Sequence, residues 1–246
     1  MLALFSPVSA RALTVSVAEF RLTASPETEI ATSFVVFNDE PRAVELSLTI
    51  TDWDDGADGV TRLFPVGEIE RSCGAWLHVD ARSFSLAAFE ERTVNVRVRV
   101  PTAVRGTHWA GLVVHAAPPA GGATADIDVI GEALVRLFVT VPPAEESAAV
   151  IGLSALSLQP LRVLACIANT GDARLVDVQG LVSVEGPTGR AASFSLPPLN
   201  LLPGHSLDIE AEAPWGLDMP GLYLVRVVFD YGAESLVAGQ IVVRVP

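Results

Sequence analysis

The sequence contains no lysine: all 16 of its basic residues are arginine, against 29 acidic residues. The formal net charge is therefore -13, and a field of that sign repels the phosphates of DNA and RNA. No basic patch offsets it, which argues against nucleic-acid binding. Apolar runs are also short, and none approaches the ~20 residues that a helix needs to cross a bilayer. We expect the apolar half of the sequence to fill the cores of folded domains.

Cysteine is scarce as well. Cys73 and Cys166 fall in different expected domains, so a disulfide would have to bridge them within the narrow Cα separation that such bonds require. We expect both to be small buried apolar residues instead.

Motifs for catalysis or metal binding are missing. Ser72-Cys73-Gly74 lacks the G-x-S-x-G frame of a nucleophile, and no glycine-rich phosphate loop occurs. His108 and His115 are seven residues apart on one strand, so their side chains face opposite sides and cannot share a metal. The acidic group from Asp52 to Asp58 does not fit a calcium loop, and we interpret it as a solvated turn. We expect no enzymatic activity, no cofactor and no metal site.

The first twelve residues have the features of the end of a secretory signal. A short apolar stretch precedes Ala10-Arg11-Ala12, which has the A-x-A form of a cleavage site. The basic start of such a signal is absent, so we expect the true start upstream of Met1. We predict that residues 1–12 are a signal remnant and that the protein is exported; the alternative is an N-terminus without fixed structure.

Apolar residues alternate with polar ones almost throughout, as in half-buried antiparallel strands. The clearest example is Val94 to Val100, where Asn95, Arg97 and Arg99 separate the valines. A proline-rich acidic segment, Pro142 to Ser147, has the composition of a linker, and the strand pattern restarts after it. We predict an all-β protein of two tandem immunoglobulin-like β-sandwiches, over residues 13–143 and 144–246. Trp53, Trp76 and Trp109 are expected to pack the first core.

One long alternating strand ends the first domain. Residues 127–141 place Ile127, Val129, Ala133 and further apolar residues on one face, with Gly131 in register. A long edge strand invites pairing with another chain unless it is covered, and partners do add strands to such edges. The alternative is a final strand that is paired within its own domain.

Eight segments occur in an order that is similar to a known family. They are Val17 to Leu22, Val35-Val36-Phe37-Asn38, Leu48-Thr49-Ile50-Thr51-Asp52-Trp53, Trp76-Leu77-His78-Val79, Phe84-Ser85-Leu86, Val94 to Val98, Trp109 to Val114 and Leu134 to Pro142. This order resembles the first domain of the periplasmic pilus chaperones of the chaperone–usher pathway. The resemblance implies a chaperone that completes an exported, pilin-like subunit by donating a strand, with an usher-type outer-membrane protein as a further partner.

The resemblance also implies a set of partner-binding residues. Arg136 matches the basic residue that anchors a subunit's terminal carboxylate, and Ile127 and Val129 match donor side chains. Gly131 and Ala133 continue the same face, with Gly131 standing where a larger donor residue is expected. The family has an arginine on its first strand; here Glu19 takes that place, and Arg21 follows two residues later on the same face.

A second resemblance is to a family of surface proteins of Gram-positive bacteria. The Asp52-Trp53, Arg71-Ser72 and Trp76 spacing is similar to the first domain of WxL-interacting surface proteins, which usually carry a C-terminal membrane helix and a basic tail. The printed sequence reaches Pro246 with neither, and we therefore expect a periplasmic protein. The alternative function is a structural or adhesive envelope protein that binds wall polymer or another surface protein.

Overall fold

The computed structural model describes residues 8–10, 13–56, 60–119, 131–189 and 191–246. Regular structure in these ranges is β-strand, apart from one turn of 3-10 helix at Gly74–Trp76. The chain divides into two compact units, Met1–Pro142 and Pro143–Pro246, called domain one and domain two below. The predicted all-β class is confirmed. No helix in the described ranges is both long and apolar enough to span a membrane.

Domain one is a sandwich of two sheets. In its described residues the strands are β1 (Val8–Ala10), β2 (Leu13–Val15), β3 (Glu19–Thr23), β4 (Glu29–Asn38), β5 (Val44–Asp55), β6 (Thr61–Phe64), β7 (Leu77–Val79), β8 (Ser83–Leu86), β9 (Glu91–Arg99), β10 (Gly106–Ala117) and β11 (Gly131–Val141). The first sheet has the order β1-β2-β4-β9-β7. The second has the order β3-β11-β10-β5-β6, and β8 also pairs with β5.

The core of domain one lies between these sheets, and the period-two pattern decides which side chains enter it. On β9, Val94, Val96 and Val98 are fully buried, while the residues between them are exposed, as predicted. On β10 the even-numbered residues, such as Leu112, join this core. On β11 the odd-numbered residues, such as Leu137, do so. Burying one side chain of this size contributes about 1.5–3 kcal/mol to the free energy of folding.

Domain two is a smaller sandwich. Its strands are β12 (Ala148–Leu158), β13 (Leu161–Asn169), β14 (Leu175–Glu185), β15 (Ala191–Leu201), β16 (Ser206–Glu212), β17 (Gly221–Asp230) and β18 (Val237–Val245). One sheet has the order β12-β13-β16, and the other has the order β15-β14-β17-β18.

The same buried asparagine corner occurs in both domains. Asn38 ends β4, and its amide donates to the carbonyls of Arg42 and Ala87. Asn169 ends β13, and its amide donates to the carbonyls of Ala173 and Leu201. Each side-chain oxygen accepts the N–H two residues further along the chain. Because an unpaired buried amide is costly, this complete set of bonds fixes the strand end in both sandwiches.

The two cysteines are free thiols. Cys73 is buried, as predicted, and this burial, with the nearby Asp52 carboxylate, raises the pKa of the thiol far above its usual range. The prediction that Cys166 is also buried is wrong. Core residues of β13 are odd-numbered, so Cys166 faces outward and is only half-buried. Partial burial, with Asp208 beside it, raises the pKa of the Cys166 thiol to about 11.

Candidate partner-binding site

Strand β11 is covered unevenly along its two edges. One edge pairs with β10 over the whole strand, from Gly131 to Val141. The other edge pairs in parallel with β3, but only from Arg136 to Thr140. Among the described residues, no strand pairs with this second edge over Gly131–Val135. We call this segment the open edge.

Hydrogen-bond alternation shows which backbone groups the open edge presents. The Arg136 N–H donates to the Ala18 carbonyl at 2.9 Å, on the β3 side. Because backbone groups in a strand alternate in direction with a period of two, the N–H and C=O of Glu132 and Leu134 point the same way. The groups of the intervening Ala133 point toward β10. Glu132 and Leu134 therefore present a strand-pairing surface.

The short length of β3 explains why no strand of the described residues pairs with the open edge. The chain enters β3 from the other sheet, where β2 pairs with β4. Ser16 is still held by β4, because its N–H donates to the Val35 carbonyl and its hydroxyl accepts the Val35 N–H, both at 2.9 Å. The chain reaches β11 at Ala18, whose carbonyl accepts the Arg136 N–H, and pairs with it from Glu19 onward. The residues before Ala18 therefore cannot extend β3 along the open edge.

Of the four donor residues expected from the sequence, Gly131 and Ala133 lie in the described part of β11. Gly131 begins β11, opposite Ala116. Ala133 is buried in the core of domain one, so its side chain is enclosed by its own domain. Ile127 and Val129 lie outside the described residues. In the described part of the strand, the surface offered to a partner is therefore mainly backbone.

Arg136 lies where the open edge meets the covered edge, with its side chain on the outer face of the sheet. Its Nη2 donates to Thr61 Oγ1 at 2.7 Å and lies 3.4 Å from Asp55 Oδ1. The guanidinium carbon lies 4.5 Å from the ring centroid of Trp53, in a cation–π contact. About a third of the Arg136 side chain, 36%, is exposed. The guanidinium is therefore held by internal partners while still reaching solvent.

Arg21 shares this outer face. In the parallel pairing of β3 with β11, Arg21 is opposite Phe138, and Glu19 is opposite Arg136. The Arg21 guanidinium forms an ion pair with the Glu19 carboxylate. Two arginines thus lie on neighbouring strands of one face, and each has an acidic neighbour.

Trp53 forms a platform beneath Arg136. Its Nε1–H donates to the Ala110 carbonyl at 3.0 Å, and its ring meets Phe138 edge-on at 5.6 Å between centroids. A Cβ at Gly111 would lie 3.2 Å from Trp53 Cδ1 and 2.6 Å from a Leu134 methyl carbon. Because glycine has no Cβ, the side chains of Trp53 and Leu134 can both lie across β10 at this position.

The expectation that the tryptophans are buried in domain one is confirmed for Trp53 and Trp109, but these two side chains are not part of the cluster between the sheets. Trp53 and Trp109 are both 1% exposed, but they lie on the outer face of the sheet and not between the sheets. Their odd numbers on β5 and β10 place them opposite the even-numbered core residues. Trp76 is half-buried and packs against the core.

Asp52 organises the turn that holds Trp53, and its expected place in a solvated turn is wrong. Its carboxylate is fully buried. It accepts the N–H of Gly67 at 2.7 Å, the N–H of Ile69 at 3.3 Å and the hydroxyl of Ser72 at 2.5 Å. Beyond Thr51, β5 leaves β10 and pairs with β6 instead, so the carboxylate faces inward onto this turn. The described residues contain no cluster of metal ligands.

Comparisons with known proteins place the fold. No protein-family model and no curated protein matches the sequence. A chain of the chaperone–tip adhesin complex of CFA/I fimbriae biogenesis superposes with a TM-score of 0.54 at 10% identity, over 95% of this chain and 99% of that one. The class 5 fimbriae chaperone CfaA superposes with the same TM-score, identity and coverage. The chain therefore has the fold of these pilus chaperones, and the predicted pair of immunoglobulin-like sandwiches is confirmed. The resemblance to WxL-interacting proteins gains no support here.

Proposed function

We propose that this protein is an exported, chaperone-like binding protein that holds a pilin-like or other surface subunit by adding the subunit's strand to the open edge. The observation that carries the proposal is the outward-facing backbone of Glu132 and Leu134, which no strand in the described ranges pairs. The shared fold supports it, since one of the similar chains comes from a complex of a chaperone with a tip adhesin. An extracytoplasmic location, binding without catalysis and an usher-type outer-membrane partner are parts of the same proposal.

The open edge provides main-chain bonds first. Glu132 and Leu134 each offer one N–H and one C=O, and each bond to an added strand is worth about 0.5–1.5 kcal/mol. Ile127 and Val129, outside the described residues, are proposed as donor side chains. Each would add about 1.5–3 kcal/mol if it were buried in the partner.

The two arginines are proposed to anchor the end of the added strand. Arg136 is the first residue of β11 that β3 covers, so a strand laid along Gly131–Val135 would end beside its guanidinium. Arg21 lies on the same face of the neighbouring strand. A planar guanidinium binds carboxylates through paired N–H donors, which suits the terminus of a chain.

A matched pair of variants tests the open edge. Glu132→Pro removes an outward-facing N–H without breaking a bond to β10, because the odd-numbered residues face β10. Glu132→Ala is the control, since both variants lose the contact of the Glu132 carboxylate with His115 Nδ1. Each form is purified from the envelope of its own host, the bound subunit is identified by mass spectrometry, and its affinity is measured. We expect Glu132→Pro to bind at least about tenfold more weakly than Glu132→Ala. Equal affinities would refute strand addition.

A second candidate function is supported by exposed apolar residues beside the β5–β6 turn. Val60, Leu63 and Val66 are all exposed there. Such a group can bind another surface protein or a wall polymer. This adhesive function predicts retention on cell-wall fractions that is lost in Leu63→Asp and is unaffected by Glu132→Pro.

A further inference from the structure

The guanidinium of Arg136 is already occupied by the β5–β6 hairpin. Its Nη2 donates to the Thr61 hydroxyl, which in turn donates to Asp55 Oδ1. Asp55 and Thr61 are opposite each other in the β5–β6 ladder. Because β10 lies between β5 and β11 in the sheet, the end of the hairpin reaches across one strand to contact Arg136. We call Asp55, Thr61 and Arg136 the latch.

We infer that the latch caps Arg136 in the free protein and opens when a subunit binds. This inference rests on the proposed function. The Asp55 side chain is a carboxylate, so it competes with the carboxylate of an added strand for the same N–H donors. The partner would exchange one carboxylate for another, and the guanidinium would never be left without an anion. The hairpin would then lose its hold on β11.

The exposure of the latch makes this exchange feasible. The Arg136 and Asp55 side chains are 36% and 43% exposed, so water reaches both and the ion pair is weak. A deeply buried pair could not be opened at a comparable cost. Trp53 stays beneath the guanidinium through the cation–π contact, which keeps Arg136 in place during the exchange.

Opening is confined to one end of the hairpin. Asp55 and Thr61 form the rung nearest the turn, next to the Gly56 N–H bond to the Val60 carbonyl at 3.0 Å. The opposite rung, Asp52 with Phe64, is fixed because the Asp52 carboxylate is buried and hydrogen-bonded. The latch therefore links occupation of Arg136 to local opening around Gly56.

Amide hydrogen exchange of the full chain tests the latch without a partner. Asp55→Asn removes the competing carboxylate, and we expect the Gly56 amide to exchange about threefold or more faster than in the native protein. Glu45→Gln is the control, because it removes one exposed carboxylate from the same strand, far from Arg136. Equal Gly56 exchange in the two variants would overturn the inference.

The complex with the co-purified subunit gives the second arm. We expect Gly56 to exchange faster in the native complex than in the native free chain, and Asp55→Asn to bind the subunit about two- to fivefold more tightly than Glu45→Gln. Unchanged Gly56 exchange in a complex that protects Glu132 and Leu134 would overturn the latch and leave strand addition standing. A complex without that protection would refute strand addition, and the free-chain comparison would still decide whether Asp55 holds the hairpin.

Discussion

Replacing Trp53 with alanine is expected to lower the free energy of unfolding of domain one by about 3–5 kcal/mol. The side chain is 1% exposed, and it packs edge-on against Phe138. Its removal leaves a cavity over Gly111 and deprives the Ala110 carbonyl of its indole donor. Arg136 also loses the ring on which its guanidinium rests.

Urea unfolding followed by circular dichroism measures this loss, and Trp53→Phe is the matched control. Phenylalanine keeps a ring in the cavity but has no N–H, so we expect it to cost only about 1–2 kcal/mol. Equal losses for the two variants would mean that the ring volume contributes nothing, which contradicts the packing described for the outer face.

Replacing Asp52 with alanine is expected to cost about 3 kcal/mol, because it removes a buried carboxylate that accepts hydrogen bonds from Gly67, Ile69 and Ser72. The Gly67 N–H and the Ser72 hydroxyl both donate to this carboxylate. Asp52→Asn retains one acceptor oxygen, and we expect roughly half the loss. Urea unfolding gives the free energies, and limited proteolysis at residues 66–73 reports whether the turn opens. A loss below about 0.5 kcal/mol in Asp52→Ala would be the result for a solvated turn and would contradict burial.

Strand positions and inward faces could be predicted from the sequence because burial repeats every two residues. Val94 to Val100 is the clearest case. The same parity could have placed Trp53 correctly, since the core residues Val44, Leu46 and Leu48 of β5 are even-numbered and Trp53 is odd. The large aromatic side chain of Trp53 suggested a place between the sheets, whereas its odd number on β5 indicates the outer face.

The latch and the Asp52 turn could not be predicted, because their partners are brought together only by tertiary structure. Arg136 and Asp55 are 81 residues apart. Asp52 finds its donors in a segment without regular strand structure, where no periodicity marks Gly67 or Ser72. An acidic cluster in a sequence gives no indication of which carboxylate is buried.

The two interpretations of the last strand of domain one, an exposed edge or an internally paired strand, apply to different parts of β11. Arg136 to Thr140 is paired with β3, as the internal alternative requires. Gly131 to Val135 has no such partner among the described residues. The boundary follows from where β3 reaches β11, a crossing between sheets that the sequence does not mark.

Exchange of the Glu132 and Leu134 amides, in the free protein and in the complex with its co-purified subunit, tests the central claim most directly. Strand addition predicts that both amides exchange at least about tenfold more slowly in the complex, because each gains a main-chain bond. Ala133 and Val135 should change little, since their N–H groups already face β10. If the subunit is bound while Glu132 and Leu134 exchange as fast as in the free protein, the open edge is not the binding site.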